Sequence, residues 1–246
     1  MPFDIPTRSQ PSPPMSHHFH LCDDPAALAT RLAGDIEARL RVALAARASA
    51  SLVVSGGKSP IAFFQCLARA DLDWQRVWIT LADERWVDPA SPDSNERTVR
   101  EHLMQGPAEH ASFVSLKTPA ASPEAALGDR AAVLAAMPRP FDVMVLGMGE
   151  DGHTASLFPG AGNLAEALDL AAPPAPVAIT PPVAAHRRIS FNLAAVLDAR
   201  FIALPIQGAS KRAVFERAAQ GASPHELPIA AVLNHAPVPV DVYWAP

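Results

Sequence analysis

Apolar residues recur at every fourth position from Leu28 through Leu32, Ile36 and Leu40 to Leu44. That spacing draws one stripe along a helix. Asp24-Pro25 ahead of it reads as a cap followed by proline at the first helical position. The predicted helix ends near Ala48, and it is expected to be the first folded element. Shorter, mostly apolar runs at 51–54, 77–81 and 141–146 have the length of buried strands. Ser59 as cap and Pro60 as opener predict a helix with Ile61, Phe64 and Leu67 facing the core. Asp93 with Glu96 fits a capping box for a helix through Leu103. Ser122-Pro123-Glu124 opens another, to about Met137. Strands are expected near Ala178, near Ile189, over 201–205 and over 240–243, with a helix over 210–219.

Strands that alternate with helices, several of them continuously apolar, predict an α/β fold. Its sheet is mostly parallel, with helices on both faces. In such sheets ligands bind beyond the carboxyl ends of the strands. Three unusual segments, 55–60, 83–85 and 147–153, each follow a predicted strand, so the architecture brings them to one edge.

At 246 residues one large α/β domain over 17–246 is favoured. Residues 1–16 hold five prolines and no apolar stretch of signal-peptide type, and read as a disordered leader. Hydrophobic residues make up 49% and charged residues 18%, enough for a sizeable core. The formal charge is −5 with no dominant basic run, which argues against nucleic acid as a partner. No apolar window is long enough for a membrane span. Two cysteines, Cys22 and Cys66, exclude a disulfide scaffold and an all-cysteine zinc site. A cytoplasmic location is expected.

Ser55-Gly56-Gly57-Lys58-Ser59-Pro60 joins a strand to a helix. Gly56 and Gly57 permit close backbone approach, the helix start offers free N–H groups, and Lys58 and Ser59 add a cation and a hydroxyl. The segment suits a phosphate, or is simply a tight turn with a solvated lysine. It lacks the P-loop spacing. Asp83-Glu84-Arg85 reads either as a solvated loop or as a functional turn. In the second reading Arg85 steadies an oxyanion or binds an anionic oxygen, and Asp83 orients Arg85 or a substrate hydroxyl.

Gly147-Met148-Gly149-Glu150-Asp151-Gly152 matches a dinucleotide fingerprint in spacing. Two acidic residues where a pyrophosphate would sit, and Pro159 soon after, speak against that use. What remains is Asp151-Gly152-His153. A histidine can accept a proton from water, and a carboxylate can fix its tautomer. The alternatives are a cap for a short helix over 154–158, or half of a metal site with no evident partner. His17, His18 and His20 read as surface residues beside the leader, and the other histidines have no partner in sequence. Arg187-Arg188 precede a strand. Lys211 opens a helix, where a cation opposes the dipole unless an anion is bound there.

These segments, in this order with Trp86-Val87, Ser94-Asn95 and Thr154-Ala155-Ser156-Leu157-Phe158-Pro159, resemble the 6-phosphogluconolactonases over about residues 24–244. The resemblance extends to the wider family of glucosamine-6-phosphate deaminases and isomerases. It implies a Rossmann-like fold, a sugar-phosphate lactone as substrate, and no cofactor or obligatory metal. It implies His153 as general base and Arg85 in the active site. Gly57, Lys58, Ser59, Arg188 and Lys211 would surround the phosphate, although Lys58-Ser59 departs from the more usual Ser/Arg-Thr. Whether Arg187 or Arg188 faces the ligand stays open. A monomer is expected. A lactone can be attacked directly by water, and no G-x-S-x-G elbow points to a serine nucleophile. A deaminase or isomerase of the same superfamily would continue with a carboxylate-bearing segment, and a non-catalytic sensor would have no need of His153.

Overall fold

The computed structural model describes residues 17–246. The expected leader, 1–16, lies outside them. The strands are β1 (His17–Leu21), β2 (Ala50–Val54), β3 (Val77–Leu81), β4 (Asp83–Arg85), β5 (Ser112–Val114), β6 (Val143–Val145), β7 (Pro176–Ile179), β8 (Arg188–Phe191), β9 (Ile202–Gln207) and β10 (Val240–Ala245). The helices are α1 (Pro25–Ala46), α2 (Ile61–Leu67), α3 (Asn95–His102), α4 (Pro123–Ala135), α5 (Leu164–Ala167), α6 (Leu193–Leu197), α7 (Gly208–Ala219) and α8 (Ile229–His235). Seven strands form one wholly parallel sheet in the order β1-β10-β9-β6-β2-β3-β5. Every residue of β2 and β6 is buried, so the sheet is covered on both faces. The α/β expectation holds.

α1 forms as its stripe predicts. Asp24 accepts a hydrogen bond from the Ala27 N–H at 2.8 Å, Pro25 opens the helix, and Leu28, Leu32, Ile36, Leu40 and Leu44 are all buried. Burying each such side chain is worth about 1.5–3 kcal/mol. The chain does not begin its fold there, however. β1 precedes α1 and pairs with β10. His20 is accordingly not a bland surface residue: its Nε2 bonds Asp241 at 2.6 Å and its ring stacks on Tyr243.

Two cap assignments also change. α2 starts at Ile61 without any side-chain cap, so Ser59 is left free. α3 is capped by Ser94, which accepts from the Arg97 N–H at 3.2 Å, rather than by Asp93. Glu96 bonds Arg100 at 2.8 Å instead of closing a capping box. α8 carried no periodic signal because Ile229, Ala230, Ala231, Val232 and Leu233 are all buried, leaving no polar stripe to read.

The larger departure is a second, antiparallel sheet of order β4-β8-β7. The chain leaves β3 at Leu81 and, with only Ala82 between, enters β4 at Asp83. Asp83-Glu84-Arg85 is therefore a strand, with Asp83 and Glu84 buried, and not a solvated loop. A small core of Leu157, Phe158, Ala161, Leu164, Ala167 and Ile179 lies beside this sheet. Residues 154–158 form only an isolated bridge between Thr154 and Leu157, so His153 caps no helix. Among the described residues no helix is long and apolar enough to cross a membrane.

Candidate active site

The carboxyl ends of β2, β3, β6 and β9 open onto one cavity of about 340 Å³. Ser55 ties two of these ends together. Its hydroxyl accepts from the Gly147 N–H at 2.9 Å and donates to the Val145 carbonyl at 3.2 Å. Of the candidate catalytic and phosphate-binding residues, seven line the cavity: Gly56, Ser59, Asp83, Arg85, His153, Arg188 and Lys211. Gly57, Lys58 and Asp151 are not part of the lining, and Lys58 is exposed. Asp151 stands behind the histidine.

His153 is held from three sides. Nδ1 lies 2.5 Å from Asp151 Oδ1, the backbone N–H donates to the same oxygen at 3.2 Å, and the ring stacks on Phe158 at 4.2 Å between centroids. A carboxylate only accepts, so this contact places the imidazole proton on Nδ1 and leaves a lone pair on Nε2. The Gly149 N–H donates to the His153 carbonyl at 2.9 Å, closing the turn. Glycine at 149 is a steric necessity. A Cβ there would stand 2.2 Å from His153 Nδ1 and 2.4 Å from Asp151 Oδ1. Gly152 has φ +75°, and a Cβ would meet Leu227 at 2.6 Å. Gly149 thus makes room for the carboxylate–imidazole pair, and Gly152 for Leu227.

β4 and β8 bring two arginines opposite one another at the cavity. Arg85 is the cross-strand partner of Arg188, and both line the cavity. Like charges in that relation repel unless an anion joins them. Arg188 is buried, and its Nε has no hydrogen-bond partner among the described residues. Burial weakens its hold on its proton, the Asp83 charge opposes that, and Arg85 adds to it. The register also separates the adjacent arginines. Arg188 faces the cavity, whereas Arg187 pairs with Glu124 on α4.

The part of Glu84, between Asp83 and Arg85 in sequence, is structural. Its carboxylate is 1% exposed and accepts four hydrogen bonds: from the N–H groups of Arg85, Asn95 and Glu96 at 2.7, 2.8 and 2.7 Å, and from the Ser94 hydroxyl at 3.0 Å. Burial pushes its pKa up, and these donors pull against that. It fastens the start of α3 to β4. Glu84→Ala strands three backbone N–H groups, and at about 1–3 kcal/mol each the expected loss is at least about 3 kcal/mol. Urea unfolding checks this; a loss below about 1 kcal/mol would contradict the tether.

Asn95, Gln207 and Phe158 line the cavity without having been singled out for it. Asn95 follows the cap of α3, and Gln207 ends β9 just before Lys211's helix. Asp83 accepts from the Ser156 hydroxyl at 2.5 Å, so its carboxylate is held beside the cavity. Among the described residues no three His, Cys, Asp or Glu side chains cluster as a metal site needs.

The sequence model described as glucosamine-6-phosphate isomerases/6-phosphogluconolactonase matches residues 23–244. A 6-phosphogluconolactonase of Rhizobium meliloti is 44% identical over 94% of this chain and all of its own length. One of Pseudomonas putida is 42% identical over 95% of each chain. The crystal structure of a 6-phosphogluconolactonase from Shewanella baltica superposes with a TM-score of 0.90 at 45% identity, covering 94% of this chain and 98% of the other. With a match that runs almost from end to end, and a cavity at the strand edge where the shared motifs meet, this chain belongs to the glucosamine-6-phosphate isomerase/6-phosphogluconolactonase family.

Proposed function

We propose that this chain is a 6-phosphogluconolactonase that hydrolyses 6-phospho-D-glucono-1,5-lactone to 6-phospho-D-gluconate in the pentose phosphate pathway. The observation that carries the reading is one cavity holding an Asp151-oriented His153 together with Arg85, Arg188 and Lys211. The near full-length relatives of that name support it.

In this reading Arg188, Lys211 and the turn at Gly56 and Ser59 hold the phosphate, with Gly57 and Lys58 completing that turn. A fixed phosphate supplies binding energy and orientation at a distance from the reacting carbonyl. His153 Nε2 takes a proton from water as the water oxygen adds to the lactone carbonyl carbon. The carbonyl electron pair moves onto its oxygen, and Arg85 stabilises that oxyanion. When the intermediate collapses, the bond to the ring oxygen breaks. The imidazolium returns its proton to that oxygen, leaving the open-chain acid. Asp151 keeps the imidazole in the productive tautomer and offsets its charge while protonated. Asp83, held by Ser156, orients a substrate hydroxyl. All these residues come from one chain, and the proposed form is a cytoplasmic monomer.

The sugar-phosphate isomerase or deaminase alternative asks for a further carboxylate near the histidine. Ser156-Leu157-Phe158 supplies a hydroxyl committed to Asp83 and a ring stacked on His153. The sensor alternative leaves the Asp151–His153 pair without a purpose. The deciding assay follows acid release from freshly generated phosphorylated lactone, with and without chelator. Rapid, chelator-insensitive hydrolysis is expected, and no acceleration over the spontaneous rate would refute the reading. Lys211→Ala is expected to raise KM about tenfold with kcat within about threefold, as loss of a ground-state phosphate contact should. Steady-state kinetics on the same substrate checks that split.

A further inference from the structure

Asn95 is the first residue of α3, only 2% exposed, and it lines the cavity. Its side-chain Nδ2 donates to the Asp83 carbonyl at 2.8 Å, and its Oδ1 accepts from Arg85 Nη1. Its backbone N–H donates to Glu84 at 2.8 Å. The side chain also presses against the glycine turn, where a Cβ on Gly56 would stand 2.3 Å from Asn95 Cγ. One amide thus links β4, the cavity guanidinium and the turn after β2.

The charge of its bond to Arg85 matters as much as its position. Arg85 is held by two neutral acceptors, the Asn95 amide oxygen and the Asp93 carbonyl at 3.0 Å. Several other arginines meet carboxylates instead: Arg47 with Asp142, Arg139 with Asp198, Arg187 with Glu124, Arg217 with Glu226. A carboxylate at position 95 would have nearly the shape of the amide and would accept the same bond from Arg85, although it could not donate to the Asp83 carbonyl as Nδ2 does. It would also neutralise the guanidinium at close range in a partly buried site, where screening is weak.

We propose that Asn95 is a positioning residue that aims Arg85 through a neutral acceptor, so that the guanidinium keeps its full charge for the oxyanion formed at the lactone carbonyl. The inference rests on the lactonase reading above. It makes the amide, and not merely the shape, a requirement of the reaction.

The test is a double-mutant cycle of Asn95→Asp and Arg85→Ala, read in kcat and KM for the phosphorylated lactone. Thermal unfolding and calorimetric binding of inorganic phosphate are measured alongside. Asn95→Asp is expected to lower kcat about tenfold or more, since a weakened oxyanion contact acts on the chemical step. Phosphate affinity should stay within about threefold. The unfolding temperature is expected to fall, because the new carboxylate loses the bond to the Asp83 carbonyl and lies buried beside Glu84, so kcat is read on protein shown to be folded at the assay temperature. In the Arg85→Ala background the Asp substitution should cost nothing further in kcat. Asn95→Ala, run through the same cycle, gives a charge-free second reading of the positioning role should the Asp variant fold poorly. A wild-type kcat in Asn95→Asp, or the same fold-loss with and without Arg85, overturns this inference alone. An inactive wild type overturns the functional reading and this inference with it.

Discussion

His153→Ala is expected to lower kcat for lactone hydrolysis by about 10²–10⁴-fold, the usual worth of a positioned base. The loss should fall on kcat and on kcat/KM alike, because the proton is taken only as the water attacks. Phosphate binding should survive, since Arg188 and Lys211 lie on other elements, β8 and α7. The fold should survive as well. His153 sits in a turn whose closing bond, from the Gly149 N–H to the His153 carbonyl, is made by the backbone and not by the imidazole. Steady-state kinetics together with phosphate calorimetry checks both halves. Retained kcat, or a loss confined to KM, would contradict the role of the imidazole.

Gly149→Ala is the second large effect, and it comes from a residue with no chemistry of its own. The added methyl would occupy space 2.2 Å from His153 Nδ1 and 2.3 Å from its Cε1, and 2.4 Å from Asp151 Oδ1. The atoms that must give way are the two that orient the base. A displacement of about 1 Å at such a contact can cost about 10²-fold, and a fall of that size in kcat is expected, with phosphate affinity nearly unchanged. Activity within about threefold of wild type would mean that the dyad shifts freely and that its observed geometry is not what matters.

Sequence pattern revealed the elements whose signal is local. The stripe from Leu28 to Leu44 fixed α1, and the apolar runs at 51–54 and 77–81 coincide with β2 and β3. Because those strands are parallel, the motifs that follow them had to share an edge, and the cavity lies there. What escaped the pattern depends on partners distant in sequence. Asp83-Glu84-Arg85 carries three charges in a row and is a strand only because β8, a hundred residues later, pairs with it. Glu84 is buried because the start of α3 surrounds it with donors, and no neighbour in sequence announces them. Arg187 and Arg188 look alike as letters; strand alternation sends one to Glu124 and the other to the cavity. Asn95 did have a signal, a polar residue beside Ser94 within the shared motifs. Its bond to Arg85 needed the fold.

The central claim concerns relative placement: an anchored phosphate at one end of the cavity and a reacting carbonyl at the imidazole. A crystal structure with 6-phosphogluconate bound examines that placement most directly. The phosphate is expected against Arg188, Lys211 and the Gly56 turn. The carboxylate derived from the lactone carbonyl is expected within about 3 Å of His153 Nε2, on the side of Arg85. Product lying in the reverse direction, or outside this cavity with its carboxylate out of reach of His153, would contradict the account.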